Sequence, residues 1–213
     1  MIELFTAPTP NGWKVSIALE EMALPYMVRP LALGQNEQKQ DWYLALNPNG
    51  RIPTIVDRDL DDFAVFESGA ILIYLAEKTG MLLPRDVKGR SRVIQWLMFQ
   101  MSAVGPMFGQ VGFFHKFAGK EFEDKRPRDR YVAESKRLLA VMDRRLAKGP
   151  WFMGETYTIA DIATFPWINN LIGFYGAAEL VGIQEFTHVQ RSLEVFLARP
   201  AVARGLQIPK VDG

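Results

Sequence analysis

Two periods of apolar residues divide the chain, and the places where one gives way to the other mark its elements. Ile2 to Thr6 is a run of strand formers, stopped by Ala7-Pro8-Thr9-Pro10-Asn11-Gly12, where two prolines and an Asn-Gly pair force a turn. Val15, Ala18, Leu19 and Met22 then recur at helical spacing, so a helix with one apolar face follows and ends before Pro25. A second strand runs from about Tyr26 to Leu31, parallel to the first because a helix-length crossover returns the chain to the same end of the sheet. A polar, irregular helix near Glu37 to Leu46 leads to the turn Asn47-Pro48-Asn49-Gly50. Ile52-Pro53-Thr54-Ile55-Val56 opens a third strand, Asp59-Leu60-Asp61-Asp62 turns it, and Phe63 to Phe66 returns as its antiparallel partner. Glu67-Ser68-Gly69 enters a helix through Ile71, Leu72, Leu75 and Ala76, with Ser68 as its N-cap and Gly80 as its stop.

From Arg90 onward helical spacing dominates and no period-2 strand follows. Leu83-Pro84-Arg85-Asp86 joins the two patterns, so the expected division is a mixed α/β domain over 1–82, a linker over 83–89 and an all-helical domain over 90–213. Tyr131, Leu138, Leu139, Met142 and Leu146 form the apolar face of one long helix. Thr158-Ile159-Ala160-Asp161 has the spacing of a capping box at the start of the next.

Composition removes whole classes of chemistry. The net charge of +1 supplies no field for nucleic acid or an anionic membrane, so any ligand must be held by local groups. No apolar run approaches the roughly 20 residues of a membrane span, and the opening residues lack the basic flank of a signal peptide, which predicts a cytoplasmic protein. The chain has no cysteine, which excludes disulfides, thiolate metal sites and a cysteine nucleophile. His115 and His188 have no ligand-spaced companions, so no metal is expected. Neither a nucleophile elbow nor a phosphate-cradling glycine loop occurs.

The order β-α-β, proline-led hairpin, Glu-Ser helix, linker and helical bundle resembles the cytosolic glutathione transferase family over essentially the whole chain. Three motifs carry the resemblance: Ile52-Pro53, Phe66-Glu67-Ser68-Gly69-Ala70-Ile71, and Thr158-Ile159-Ala160-Asp161. It implies an α/β thioredoxin-like N-terminal domain followed by an all-α helical-bundle C-terminal domain, and a symmetric homodimer. Pro8-Thr9-Pro10-Asn11-Gly12, with Trp96 and Gly105-Pro106-Met107, resembles the bacterial nu class, which is related to the yeast nitrogen regulator of transferase-like fold. Other classes place tyrosine, serine or cysteine near the first turn, and all three are missing from Ala7 to Lys14.

Glutathione makes demands that these residues can meet. The N-terminus of the Glu-Ser helix, with the Ser68 hydroxyl, suits the γ-glutamyl carboxylate, and Glu67 suits the ammonium beside it. The Ile52 backbone, extended before Pro53, can pair with the cysteinyl unit as an added strand; the resemblance implies a cis bond at Pro53. Arg51 and Gln38 are candidates for the glycine carboxylate. The sulfur would lie before the first helix, where Thr9 and Asn11 donate hydrogen bonds and lower a thiol pKa near 8.5 by roughly one to two units. Each of these residues also has a purely structural use, as cap, turn or loop.

An activated glutathione thiolate can attack the sulfur of a small disulfide or the carbon of a hydrophobic electrophile; resemblance to the nu class favours the disulfide. Met107, Phe108, Phe113, Phe114 and Phe117 are candidates to line an apolar pocket for that second substrate, or to pack the helical core. Arg130 matches an arginine that points toward the cleft in nu-class relatives. A non-catalytic glutathione-binding or regulatory protein and a structural subunit are the alternatives to an enzyme.

Overall fold

The computed structural model describes residues 1–210. It divides into two compact units, one made of Met1–Leu83 with the described residues from Ala198 on, the other of Pro84–Leu197. Residues 211–213, the end of the helical domain expected over 90–213, lie outside the described residues.

The first unit is built on a four-stranded sheet in the order β2-β1-β3-β4. In chain order it comprises β1 (Ile2–Thr6), α1 (Pro10–Glu21), β2 (Tyr26–Pro30), the short α2 (Asp41–Leu44) after two 3-10 turns, β3 (Thr54–Asp57), β4 (Phe63–Phe66) and α3 (Ser68–Thr79). β2 runs parallel to β1, whereas β3 is antiparallel to β1 and β4 to β3. Successive residues of a strand face opposite sides, and here both sides are covered. Leu4 and Ile55 are fully buried, as are Val15, Leu19, Ile71 and Leu72 of α1 and α3. Their neighbours Phe5 and Val56 join Leu31 and Tyr43 in a second cluster, with Ile52 packed against it. With both sides covered, every residue of β1 is buried, the charged Glu3 included, and its carboxylate is paired with Arg29 and Arg58.

The chain end belongs to this unit as well, which the expected boundary at 90–213 does not capture. α9 (Pro200–Gly205) packs on α1: Ser16 Oγ donates to the Gly205 carbonyl at 2.7 Å, and Arg199 and Arg204 pair with Glu21 and Glu20, each at 2.6 Å. A Cβ on Gly205 would lie 2.7 Å from the Ile17 Cα, so glycine is what permits the close approach.

The second unit is helical, apart from two isolated bridges between residues 151 and 156 among the described residues. α4 (Val87–Phe99) starts inside the expected linker, because Asp86 caps it by accepting from the Gly89 amide at 2.8 Å. A π-helical turn at Gln100–Val104 joins α4 to α5 (Gly105–His115), next to Pro106, which has no amide hydrogen to give. α6 (Arg126–Leu146), α7 (Ile159–Ile172) and α8 (Thr187–Leu197) complete the unit. The capping box forms: Thr158 Oγ1 accepts from the Ala160 amide at 3.3 Å, and Asp161 accepts from the Thr158 and Phe152 amides at 2.8 Å. α8 is capped from another helix, since Asp143 of α6 accepts from the amides of His188 and Val189 at 2.8 and 3.1 Å.

Gly205→Ala forces backbone against backbone. It is expected to cost about 1–3 kcal/mol in urea denaturation and to speed amide exchange in α9 before the rest of the molecule; an unchanged midpoint would contradict the packing described.

Candidate functional site

Register decides which loops meet. Phe5 of β1 lies opposite Thr54 of β3, and Thr54 lies opposite Phe66 of β4. The end of β1, the start of β3 and the end of β4 therefore share one end of the sheet, and the segments 7–12, 49–53 and 67–70 emerge together.

At the first of these, α1 begins at Pro10 rather than after Gly12, because Thr9 is its N-cap. Thr9 is extended (φ −136°, ψ 160°) and its Oγ1 accepts from the Gly12 amide at 3.3 Å. Asn11 is thus already helical, and the Thr9 hydroxyl keeps its hydrogen for donation. A Cβ on Gly12 would overlap the Ala7 carbonyl and the Thr6 hydroxyl, so only glycine lets the loop fold back on this turn.

At the second, the Ile52–Pro53 bond is cis, and Ile52 lies two residues before the last paired position, Thr54. The Arg51 carbonyl is held by Tyr43 Oη at 2.8 Å and Asn47 Nδ2 at 2.7 Å, which fastens the loop to the sheet. The Arg51 side chain is exposed. Gly50, at φ 59°, comes so near the Gln38 carbonyl and the Lys39 ammonium that a Cβ would stand 2.9 Å from each. Gln38 is thereby brought beside Arg51, and Lys39 adds a second cation. The Gln38 amide oxygen is buried without a partner, so the amide must turn to serve a carboxylate.

At the third, the structure corrects the assignment of Ser68 as N-cap. Glu67 takes that position with φ 69° and no side-chain capping bond, and Ser68 is the first helical residue. A non-glycine residue in this region costs about 1–3 kcal/mol, and the surrounding structure holds it. The first intrahelical bond runs from the Ile71 amide to the Glu67 carbonyl at 2.9 Å, so the amides of Ser68, Gly69 and Ala70 precede it. Glu67 is exposed and accepts from Asn49 Nδ2 at 3.3 Å. The Ser68 hydroxyl has a different partner from the cap, accepting from Lys14 Nζ at 3.2 Å.

Lys14 is 1% exposed. Burial pushes its ammonium down to about 7, against the pull of the Glu67 carboxylate. Sequence reasoning passed over Lys14, Lys39 and Asn49. For Lys14 a signal existed: it shares a helix face with the buried Ile17 and Ala18, one turn on, where an apolar residue belongs.

The remaining expectations fall in the helical unit. Arg130 is exposed near the start of α6, one turn before Glu134, whose carboxyl is held low by Arg137 first and by Arg130 as well. Phe108 is fully buried and is a core residue rather than a pocket lining. Phe113 and Phe117 are exposed, and Phe114 stacks on Tyr131 at 5.6 Å.

Chemically, the sheet end offers an exposed carboxylate at Glu67, next to helix amides, a hydroxyl and a buried cation, an arrangement that suits an ammonium and a carboxylate on one carbon. Donors at the start of α1 suit a second anion. A mixed sheet carrying a cis-proline loop and two helix N-termini at one end defines a thioredoxin-like unit, here combined with an all-helical one. Residues 1–77 match the glutathione S-transferase N-terminal domain and residues 125–191 the glutathione S-transferase C-terminal domain. The chain belongs to the glutathione S-transferase family. It is 39% identical to the disulfide-bond oxidoreductase YfcG of Escherichia coli K12, over 97% of this chain and 94% of that protein. A glutathione transferase family member from Pseudomonas fluorescens Pf-5, solved with two glutathione bound, is 59% identical, with a TM-score of 0.96 over 98% of this chain and 93% of that one. A glutathione transferase from Pseudomonas putida, solved with one glutathione disulfide per subunit, is 55% identical, with a TM-score of 0.95 over 98% of this chain and 91% of that one.

The depressed Lys14 ammonium makes a prediction with a definite sign. Between about pH 7 and the ordinary lysine range the unfolded chain binds more protons, so its contribution to stability rises with pH, by up to about 1.4 kcal/mol per unit. Lys14→Met should stabilise the protein near neutral pH and flatten that rise; equal slopes in urea denaturation across the range would refute the assignment.

Proposed function

We propose that this protein binds glutathione at the shared end of its sheet and uses the tripeptide's thiolate to reduce small disulfides. The observation that carries this reading is the register from Phe5 through Thr54 to Phe66, which gathers the three loops that the tripeptide requires. Glu67 takes the γ-glutamyl ammonium. Ser68 and the first amides of α3 take the carboxylate beside it. The Ile52 backbone, ahead of Pro53, pairs with the cysteinyl unit as an added strand. Gln38 and Arg51, with Lys39 beside them, serve the glycine carboxylate.

The sulfur then lies at the start of α1, where the Thr9 hydroxyl and the Asn11 amide donate to it and the helix dipole favours its anion. In the first step the thiolate attacks one sulfur of the substrate disulfide. A new S–S bond joins glutathione to that half of the substrate, the old one breaks, and the other half leaves as a thiolate. A second glutathione thiolate attacks the glutathione sulfur of the mixed disulfide, releasing the remaining half and glutathione disulfide. No protein thiol takes part, in keeping with a chain that has no cysteine. Relatives solved with two glutathione and with glutathione disulfide support this sequence, as does the likeness to an oxidoreductase of disulfide bonds. The working protein is proposed to be a homodimer in the cytoplasm, where glutathione is kept reduced.

Two measurements test the reading. Calorimetry should show glutathione binding, weakened about tenfold or more by Ser68→Ala; no heat of binding would remove its foundation. Glutathione-dependent turnover of hydroxyethyl disulfide at pH 7 should fall about tenfold in Thr9→Val combined with Asn11→Ala, as the pKa of the bound thiol rises by about one unit. Faster turnover of an aryl halide than of the disulfide would replace reduction with conjugation, and binding without turnover of either would make this a non-catalytic glutathione-binding protein.

A further inference from the structure

A buried lysine is an unusual thing for a fold to keep. Lys14 lies within a helix whose neighbouring side chains, Val15, Ile17 and Ala18, are fully buried and apolar, and methionine would fill nearly the same space. Its ammonium instead reaches Ser68 Oγ at 3.2 Å. While Lys14 is protonated its nitrogen has no lone pair, so in this contact the serine oxygen accepts and the hydroxyl hydrogen is directed away from Lys14. Ser68 is also the first residue of α3, and the amides of Ser68, Gly69 and Ala70 precede the helix's first internal bond. The polarity of the contact and the polarity of the helix therefore agree: both make this point a place for an anion.

We propose that Lys14 is a positioning residue, one that fixes the Ser68 hydroxyl as a donor and, by its charge, makes the site require an ionised γ-glutamyl α-carboxylate. The proposal rests on the assignment of Ser68 to that carboxylate. It predicts a specificity that the amides alone would not supply, because amides also accept a neutral carbonyl as partner, whereas a buried positive charge rewards only the anion.

The test compares glutathione with its analogue amidated at the γ-glutamyl α-carboxyl, by calorimetry on the full chain. The unsubstituted protein should prefer glutathione by about tenfold to a hundredfold. Lys14→Met and Lys14→Gln should each bring the two ligands to within about threefold of one another. Full preference retained in either folded variant overturns the proposal and leaves the binding assignment standing. No preference in the unsubstituted protein overturns the assignment itself. Should both variants fail to fold, isotope-labelled lysine reads the same contact in the unsubstituted chain. The Lys14 Nζ resonance should move with saturating glutathione and stay in place with the saturating analogue; equal responses to the two ligands overturn the proposal.

Discussion

The alignment of Phe5, Thr54 and Phe66 across three strands is the constraint on which the site depends. A slip of one residue in β3 would exchange Ile55 and Val56 between faces, and each faces a different packed layer. Ile55 lies on the side of the buried residues of α1 and α3, while Val56 packs with Phe5, Leu31 and Tyr43. Register is thus specified twice, once from each side of the sheet. Tyr43 adds a third restraint, because its hydroxyl bonds both the Arg51 carbonyl and Thr54 Oγ1 at 2.8 Å and so ties the proline loop to the first residue of β3. The loops that would contact a ligand are mobile by type but are anchored where they leave the sheet.

Two buried charges show how differently a fold can use such groups. Asp161 is buried, and burial pushes its carboxyl up to about 7. It accepts from the Phe152 and Thr158 amides, starts α7 and holds the segment before it, so its desolvation is offset by donors that the fold itself must satisfy. Lys14 is buried as well, one turn before Ile17 and Ala18. Its ammonium donates to the Ser68 hydroxyl at the mouth of α3, beside the strained Glu67, whose carboxylate opposes the effect of burial on it.

Electrostatically the sheet end is assembled from small contributions of one sign around one exposed carboxylate. The starts of α1 and α3 each present amide hydrogens, and Lys14, Lys39 and Arg51 place cations along the rim and beneath it. With a net charge of +1, the chain as a whole exerts no comparable pull. Recognition of an anionic tripeptide at this sheet end would accordingly be local and geometric rather than long-range.

Most elements were legible in the sequence because they are made by neighbours. Ile2 to Thr6, the Asp59 to Asp62 turn and the Thr158–Asp161 box depend on residues a few positions apart, and so does the proline that precedes β3. Glu67 and Ser68 were identifiable as a pair, but which of them caps α3 was not, because the φ of Glu67 is imposed by the junction of β4 with α3. The partnership of Lys14 with Ser68 spans 54 positions, that of Ser16 with Gly205 spans 189, and the cap that Asp143 gives α8 crosses from one helix to another. Periodicity fixes which face of a helix is apolar; it does not say which distant group that face will meet. That pairing is settled only when the layers pack, since the cost of burying a charge or opening a helix end depends on what lies opposite.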